Sequence, residues 1–458
     1  MIYTFNEVAE LQKMPLDYKI SVAVEWIGKA FDTCKNPALA FSGGKDSTAL
    51  WHLIRTHFPE EAKRLHIIFG NTGVEYPESL KFARQLGKEW GGEMFHEVTA
   101  EKTEKEGLKY AAQQEVLEWL VSTGKIGDLL KADGKLKSTE ALENAATPEM
   151  WEDFRRRKLV WPAGTVKSYF WCCDQYGYPL LGKAASKLQA RRINIDCFLR
   201  FSQTASNDPK LKEYYEMLKV CKISQHCCTE LKKKPSDKLC RELGIDCVFM
   251  GMMASESRRR LISFCDNGYL YQVKKDWSDN HYHCHPIAIW TDDDVWEYIH
   301  RVNCPYSPLY DIGYEDPETG EWVNIKRNGC LGCGTDIQFP HNHLSILRRT
   351  HPNQWRGIMK SGTGEQIKLL RQYRKGGQLS MLEFMSVEKT IDTHPCIFDS
   401  LDELDLPEGA ILEYDSEVDA GEEEGGSGYG AFANSGSGME RASSDEKAAS
   451  VVAHRYGR

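Results

Sequence analysis

The sequence predicts an α/β protein with a doubly wound, mostly parallel sheet, a helical insertion and a helical C-terminal region. Three observations carry that reading. Short apolar runs recur with helical patterns between them, the alternation expected of parallel strands joined by crossover helices. One of those runs ends in a glycine turn that opens a helix, Ser42-Gly43-Gly44-Lys45-Asp46-Ser47. A long charged stretch, over about 99–220, then interrupts the alternation before it resumes.

Taken in order, residues 1–36 read as mostly helical, with Leu11, Tyr18, Val22, Val24 and Ile27 near helical spacing. Ala38-Leu39-Ala40-Phe41 reads as the first strand, and Ala49, Leu50, Leu53 and Ile54 mark the helix after the glycine turn. Leu65 to Phe69 and Met94 to Val98 read as the second and third strands. Cys247 to Gly251 reads as a fourth, preceded by a helix-like Lys238 to Leu243. The α/β core is therefore expected over 37–98 and 221–300, with 99–220 inserted as a helix-rich cap that includes the acid–base mixture from Glu101 to Lys137. Residues 301–400 read as helical with loops at 303–314 and 316–334. From about 401 onward, Glu422-Glu423-Glu424 and the Gly/Ser-rich run after them read as a disordered acidic tail.

Composition narrows the classes. At roughly 150 residues per domain, 458 residues suggest two or three compact units, and 41% hydrophobic content excludes wholesale disorder. The net charge of −9 divides unevenly: Asp399 to the end holds 15 acids and 4 bases, and the rest of the chain is near +2. The longest nearly apolar stretches, such as Cys247 to Ala254, fall well short of the roughly 20 residues that span a bilayer. The start, Met1-Ile2-Tyr3-Thr4-Phe5-Asn6-Glu7, lacks the basic and apolar regions of a signal peptide, so a cytoplasmic protein without membrane association is expected. In a reducing compartment, clustered thiols among the 15 cysteines point to metal ligands or redox groups rather than disulfides.

The hexapeptide Ser42–Ser47 suits an anion. Two glycines allow a sharp turn with N–H groups aimed inward, and the helix after it adds the positive end of its dipole. Lys45 supplies a cation, and Ser42 and Ser47 supply hydroxyl donors. The spacing matches neither Walker A nor the dinucleotide fingerprint. The plainer alternative is an ordinary turn with an N-cap serine.

Ser-Gly-Gly-Lys-Asp-Ser resembles the PP-loop of the N-type ATP pyrophosphatases, which have a Rossmann-like adenine nucleotide alpha hydrolase fold. Three further segments resemble the phosphoadenylyl-sulfate reductase branch. Asn71-Thr72-Gly73-Val74-Glu75-Tyr76-Pro77-Glu78-Ser79 is similar to its Asp-Thr-Gly-x-x-Phe-Pro-Glu-Thr. Gly251-Met252-Met253-Ala254-Ser255-Glu256-Ser257-Arg258 is similar to its Gly-x-Arg-x-x-Glu-Ser-x-x-Arg, with Met253 at or near an expected Arg. Trp290 to Trp296 and Pro305 to Tyr314 are similar to its next helix and loop. The resemblance implies an adenine nucleotide, ATP or an adenylyl-sulfate, held by Ser42, Gly43, Gly44, Lys45, Asp46, Ser47, Thr72, Gly73, Gly251, Glu256 and Arg258, with Mg2+ assisting. It implies Lys45, Asp46 and Arg258 as catalytic residues. In chemical terms Glu256 can accept from ribose hydroxyls or orient a base. Arg258, Arg259 and Arg260 offer forked donors for phosphate or sulfate, unless the triplet is only a solvated helix face.

Cys227-Cys228 and Cys330-x-x-Cys333 are the clearest thiol motifs, and four thiolates suit either a [4Fe–4S] cluster or a structural zinc. Adjacent ligands are unusual for zinc. The set is similar to the Cys-Cys…Cys-x-x-Cys of adenylyl-sulfate reductases, whose cluster is [4Fe–4S], and Lys232-Lys233-Lys234-Pro235 follows much as in that family. Cys172-Cys173 and Cys221 lack a matching motif and read as core or substrate-side residues. His281, His283, Cys284 and His285 could bind metal, but a strand edge beside Pro286 to Ile289 is the blander reading.

The mobile Glu-Cys-Gly-x-His-like thiol segment of sulfonucleotide reductases has no counterpart; the last cysteine is Cys396. The leading expectation is therefore sulfur transfer: ATP adenylates an acceptor oxygen, pyrophosphate leaves, and cluster-held sulfur displaces AMP. This is similar to the sulfur-inserting proteins of DNA phosphorothioation systems. A sulfonucleotide reductase with an altered thiol donor is the alternative, and a non-catalytic nucleotide-binding subunit with a structural metal site is a third. Expected partners are the nucleotide, a sulfur-donor protein and a homo-oligomer. A nucleic-acid acceptor gains nothing from the near-neutral body, although Arg155-Arg156-Arg157 and Lys232-Lys233-Lys234 leave it open.

Overall fold

The computed structural model describes residues 2–130, 137–180, 222–278, 280–337 and 341–375. Cys221, Cys396 and the acidic tail lie outside these described residues. The chain folds as an α/β protein around a six-stranded, mostly parallel sheet. Its strands are β1 (Pro37–Phe41), β2 (His66–Gly70), β3 (Phe95–Val98), β6 (Cys247–Met250), β7 (Leu270–Gln272) and β8 (Tyr282–Cys284), in the order β3-β2-β1-β6-β8-β7. Neighbours β3 through β8 pair in parallel, and only the edge strand β7 runs antiparallel, against β8.

All five residues of β1 are buried, which is why it reads as a continuous apolar run: helices cover both of its faces. From β1 the chain builds outward to β2 and β3 on one side. It then returns to place β6 and β8 on the other. The β1–β6 boundary is thus the point where the strand order reverses, and ligands of open parallel sheets bind beyond the strand C-termini there. The main core lies on one face, with Leu39, Phe41, Trp51, Ile54, Phe249 and Trp290 almost fully enclosed. The helix Leu16–Thr33 meets this core with Leu16, Ala23, Ile27 and Ala30, a stripe of helical period. Its one buried cation, Lys19, is held by Asp294 at 2.6 Å and by the Gln12 carbonyl at 2.6 Å.

The insertion has a small core of its own. An antiparallel ribbon of β4 (Gly107–Leu108) and β5 (Val160–Trp161) carries the helices Tyr110–Ser122, Thr139–Ala145 and Pro148–Arg156, which bury Val116, Leu117, Leu120 and Phe154. Its last described helix, Tyr169–Tyr176, leaves this unit and packs beside Val74, Cys227 and Leu231. After β8 come the helix Asp292–Arg301 and a hairpin of β9 (Gly313–Glu315) and β10 (Trp322–Asn324). Three helices follow, His343–Thr350, Pro352–Lys360 and Gly362–Lys375.

The histidine-rich segment is itself strand β8 and its flanks rather than a strand edge beginning at Pro286. His281, His283 and His285 alternate along one face, and Cys284 points to the opposite face and the main core. Among the described residues, no helix is long and apolar enough to cross a membrane.

Candidate nucleotide site and cysteine centre

The hexapeptide Ser42–Ser47 sits where β1 hands over to the helix Lys45–His57. Gly43 has φ +68°, and a Cβ there would stand 2.9 Å from Ala83 Cβ, so only glycine makes this turn without strain. The loop is held from within. Ser47 Oγ donates to the Gly44 carbonyl at 3.0 Å, and Gly44 N–H donates to Ser42 Oγ at 3.2 Å. Gly251, at the end of β6, backs onto it: a Cβ there would lie 3.0 Å from the Asp46 carbonyl and the Ser47 nitrogen. The two motifs, more than 200 residues apart, therefore form one wall at the strand-order reversal.

Lys45 is 3% exposed and its ammonium lies between two carboxylates, Asp46 at 2.5 Å and Asp292 at 2.6 Å. Burial alone would lower its pKa, but Asp46 and Asp292 more than offset this and raise it, so the cation persists. The Lys45 N–H donates to Tyr310 Oη at 3.0 Å.

Glu256 is buried, accepts from the Met253 N–H at 3.1 Å, and pairs with Arg260 and with Arg327 at 3.6 Å. Arg260 is pulled down to about 10, first by burial and then by the neighbouring Arg327. Arg258 and Arg259 stand exposed at the start of the helix Arg258–Asn267. Glu256 ends a short turn before the extended N-cap Ser257, and the helix that starts at Arg258 brings Arg260 back against it while Arg258 turns outward, so the inward arginine is not the one singled out from the sequence.

The four cysteines come together. Cys227, Cys228, Cys330 and Cys333 line one cavity with Lys232, Arg327, Asn328 and Tyr169. Cys227-Cys228 opens a π-helical turn, Thr229–Lys233, that runs into the helix Lys234–Leu243. The Cys-x-x-Cys turn is pinned to the Thr72–Glu75 loop: Leu331 N–H donates to the Val74 carbonyl at 2.7 Å, and Thr72 Oγ1 lies 3.5 Å from Cys330 Sγ. Thr72 also donates to Glu75 at 2.6 Å, so this segment braces the cysteine turn. Gly73 has φ +75° and open space at its Cβ position.

Cys333 is pushed up to about 12 by burial, and Cys330 is also raised by burial although Lys232 opposes it. Cys228 is lowered, chiefly by a hydrogen bond from Cys227, which is raised in turn. Burial acts to lower Lys232, but Cys330, Cys228 and Glu75 outweigh it and keep the ammonium charged. Among the described residues, no three His, Cys, Asp or Glu donors already close around a single point. The donor set nevertheless suits a thiophilic group: four thiols share one cavity with a lysine poised to balance thiolate charge.

The phosphate loop and the cysteine cavity are neighbours. Asn328 lines the cavity and donates its side-chain amide to the Ser42 carbonyl at 2.7 Å. Arg327 lines the same cavity and reaches Glu256. Sequence reasoning missed Arg327 and Asn328, whose roles come from tertiary approach and carry no local motif, and gave Asp292 no role although it lies in the Trp290–Trp296 segment.

The basic runs are mostly exposed, but most of their members are paired with carboxylates. Arg155 pairs with Glu106, Arg156 with Asp153, and Arg157 with Glu115 at 2.6 Å and with Asp153 at 3.0 Å. Lys232 turns into the cysteine cavity, and Lys234 holds Glu230 at 2.6 Å.

The phosphoadenosine phosphosulfate reductase domain model matches residues 36–149 and 170–333. An adenosine 5'-phosphosulfate reductase of Geobacillus thermodenitrificans is 27% identical over 171 residues, covering 31% of this chain and 73% of that protein. A phosphoadenosine 5'-phosphosulfate reductase of Xylella fastidiosa is 32% identical over 83 residues, 18% of this chain and 31% of that protein. A solved phosphoadenylyl-sulfate reductase from Candida auris, in a phosphate complex, covers 69% of this chain and 96% of its own. Its identity is 13% and its TM-score 0.30, too low to argue from.

Proposed function

The chain belongs to the phosphoadenosine phosphosulfate reductase domain family, and from that premise we propose an enzyme of the sulfonucleotide reductase type. It binds an adenine nucleotide at Ser42–Ser47, with a [4Fe–4S] cluster held beside it by Cys227, Cys228, Cys330 and Cys333; zinc is the competing occupant of those thiols. The observation that carries the reading is Asn328, which touches both the phosphate loop and the cysteine cavity. Such contiguity is what a reaction at a nucleotide's sulfur or phosphorus needs if the metal centre is to act on it.

In this reading the Ser42–Ser47 backbone and the Ser42 and Ser47 hydroxyls bind phosphate oxygens, and Lys45 neutralises them by exchanging its Asp292 partner for the anion. Arg260 and Arg327 orient a sulfate or second phosphate, and Glu256 fixes both guanidinium groups. Thr72, Gly73 and Gly251 border the nucleotide, and Arg258 serves at the rim. Bound at the four cysteines, the cluster would supply redox and electrostatic chemistry next to the substrate.

A second reading, ATP-dependent sulfur transfer, is favoured by Asp46 and Asp292 flanking Lys45, since carboxylates beside a phosphate cradle suit a Mg2+–pyrophosphate pair. There the acceptor oxygen attacks the α-phosphorus of ATP and pyrophosphate leaves. Sulfur from a donor protein then displaces AMP.

A product assay on anaerobically purified protein separates them. Sulfite from adenylyl-sulfate or phosphoadenylyl-sulfate, with a dithiol reductant, supports the reductase. AMP and pyrophosphate from ATP without sulfite support sulfur transfer. Binding of nucleotide with no turnover of any of the three would leave a non-catalytic subunit.

A further inference from the structure

Charge is segregated within the fold. Residues 341–375 hold eight Lys and Arg and one acid, Glu365, a balance of +7. Residues 1–398 together stand at +2, so taking away this +7 leaves −5 for the rest of them. The basic stretch forms the three consecutive helices His343–Thr350, Pro352–Lys360 and Gly362–Lys375. A near-neutral body therefore carries one strongly basic element, which its total charge hides.

The helical period sorts these helices into two sides. Leu344, Leu347, Trp355, Ile358, Met359 and Ile367 are buried, whereas Arg349, Arg356, Lys360 and Lys368 are exposed. Arg356 and Lys360, four residues apart, share one face of their helix. Among the described residues, Arg349, Arg356 and Lys368 form no ion pair. Arg349 lies over the Tyr314 ring, 4.8 Å from its centroid, and Arg348 over Trp355 at 5.4 Å. Arg356 Nη1 donates to Asn353 Oδ1 at 3.0 Å. A guanidinium laid on a ring keeps its N–H fork ordered for a phosphate. Arg155, Arg156 and Arg157 differ, since each is committed to a carboxylate.

The chemistry of the face selects its partner. The large apolar side chains exposed among the described residues are Ile2, Phe5, Val121, Val166, Ile262 and Trp322, and none lies on these helices. A helix that grips a lipid surface inserts apolar side chains, and a protein interface needs aromatic or aliphatic anchors at its centre. A phosphate backbone needs only cations and forked donors. The face also begins beside the candidate site. His343, at the head of the first helix, lines the cysteine cavity, and its Nε2 lies 3.2 Å from the Leu331 carbonyl. On the other side the β9–β10 hairpin, with Asp316, Glu318 and Glu321 at its turn, borders the face where Tyr314 Oη meets His341 Nδ1 at 3.4 Å. Those acids repel a polyanion and confine it to the helices.

We infer that the outer face of the three C-terminal helices, through Arg349, Arg356, Lys360 and Lys368, binds the phosphate backbone of a nucleic acid alongside the candidate site. Contacts of this kind position a strand without reading its sequence. The surface stands whichever reaction the nucleotide site performs.

The test uses the full-length protein and a fluorescent duplex of about 20 base pairs, with anisotropy read between about 50 and 200 mM salt. Wild type is compared with the combined variant Arg349→Ala, Arg356→Ala, Lys368→Ala. A control combines Arg155→Ala, Arg156→Ala and Arg157→Ala. All are first matched for thermal melting and for nucleotide affinity. The C-terminal variant binds the duplex about 10- to 100-fold more weakly, and its salt slope is smaller by about three. The 155–157 variant changes affinity less than about threefold, as expected of charges already paired. If the combined variant does not fold, Arg356→Ala alone carries the comparison, with a loss of about threefold and a slope smaller by about one. No binding of the duplex or of its single strand at about 50 mM salt overturns the inference, as does equal weakening in the two combined variants. Phosphatidylserine-containing vesicles or polyglutamate that bind as tightly at equal charge, and lose affinity in the C-terminal variant, would assign the face to lipid or to acidic protein and overturn it too.

Discussion

Asn328 donates its side-chain amide to the Ser42 carbonyl at 2.7 Å while its other side lines the cysteine cavity. One residue therefore sets the distance between the phosphate loop and the Cys330–Cys333 turn. Removing the amide leaves that carbonyl without this donor and frees the loop to widen. Asn328→Ala is expected to weaken nucleotide binding about tenfold, which corresponds to roughly 1.4 kcal/mol for one hydrogen bond and its positioning effect. Metal content should stay at the wild-type level. Titration calorimetry with the nucleotide, alongside metal analysis, checks both halves; equal loss of metal and affinity would indicate a general collapse of the 327–333 loop.

Asp292 and Asp46 both hold Lys45, but Asp292 comes from a distant helix and its side chain is 62% exposed. It competes with an incoming phosphate for the same ammonium. Asp292→Asn should tighten binding of an anionic nucleotide about threefold, within the range of a solvent-screened pair. Lys45→Ala removes the buried cation itself and should weaken binding about 10- to 100-fold. If Asp292→Asn instead weakens binding only when Mg2+ is present, the carboxylate is a metal ligand and the ATP-dependent reading gains.

Gly251 meets the phosphate loop at its backbone, where neither partner can rotate away. Gly251→Ala should abolish nucleotide binding and destabilise the fold by about 1–3 kcal/mol through overpacking. Chemical denaturation with calorimetry on the same sample reads both. Gly73→Ala is the contrast: it faces open space, so its cost should come from its left-handed backbone alone.

Much of this was legible in the sequence, for reasons the structure makes concrete. Strands β1, β2 and β6 are buried on both faces or nearly so, and three to five apolar residues in a row report that directly, whereas β3 is half-buried along its length and has apolar residues only at its two ends. The phosphate loop and the four cysteines carry their geometry in local spacing. Strands β7 and β8 escaped because they are three residues long, and β8 alternates histidine with the buried Cys284. Arg260 is half visible: the triplet stands out, but choosing its inward member requires the path of the chain through the extended Ser257 between Glu256 and the helix. Asn328 and Arg327 gave no signal, and Asp292 showed only as part of the Trp290–Trp296 segment, since each acts across more than 70 residues of sequence. Cys172-Cys173 was read as core, and it is core, but core of the cysteine centre.

The buried imidazoles and Glu230 make stability fall on acidification. His285 is brought down to about 4 by burial and then by Arg260, and His283 to about 2 by burial and then by His285. Both lie below the ordinary 6.5, so the unfolded chain takes up protons first, and their contribution is complete above about pH 6.5 and declines below it. Glu230 sits at about 2 against an ordinary 4.5: burial opposes its charge, but hydrogen bonds from His226 and Lys234 prevail. Its contribution is present above pH 4.5 and is lost as pH falls toward 2. Urea melts of metal-free protein should therefore plateau near neutral pH, fall between 6.5 and 4, and fall more steeply below 4.5. His285→Gln should flatten the upper limb by up to about 3 kcal/mol. A variant curve parallel to wild type would remove His285 from the account.

Lys232 offers the sharpest test of the cysteine centre. Its ammonium hydrogen-bonds Cys330 and feels Cys228 and Glu75, so it is the cation that makes thiolates affordable in that cavity. Lys232→Met keeps the length and the packing of the stem but removes the charge. Cys330 and Cys228 then lose the neighbour that favours their ionised forms, and a metal must displace their protons at greater cost. Metal affinity should fall about 10- to 100-fold, the range seen when a supporting partner of a ligand is lost. Competition with a chelator measures that directly, and thiol alkylation of the metal-free protein at pH 7 should slow at Cys228 in parallel. Because a purely structural lysine would alter stability without changing the alkylation rate at that one thiol, the two measurements together isolate its electrostatic role.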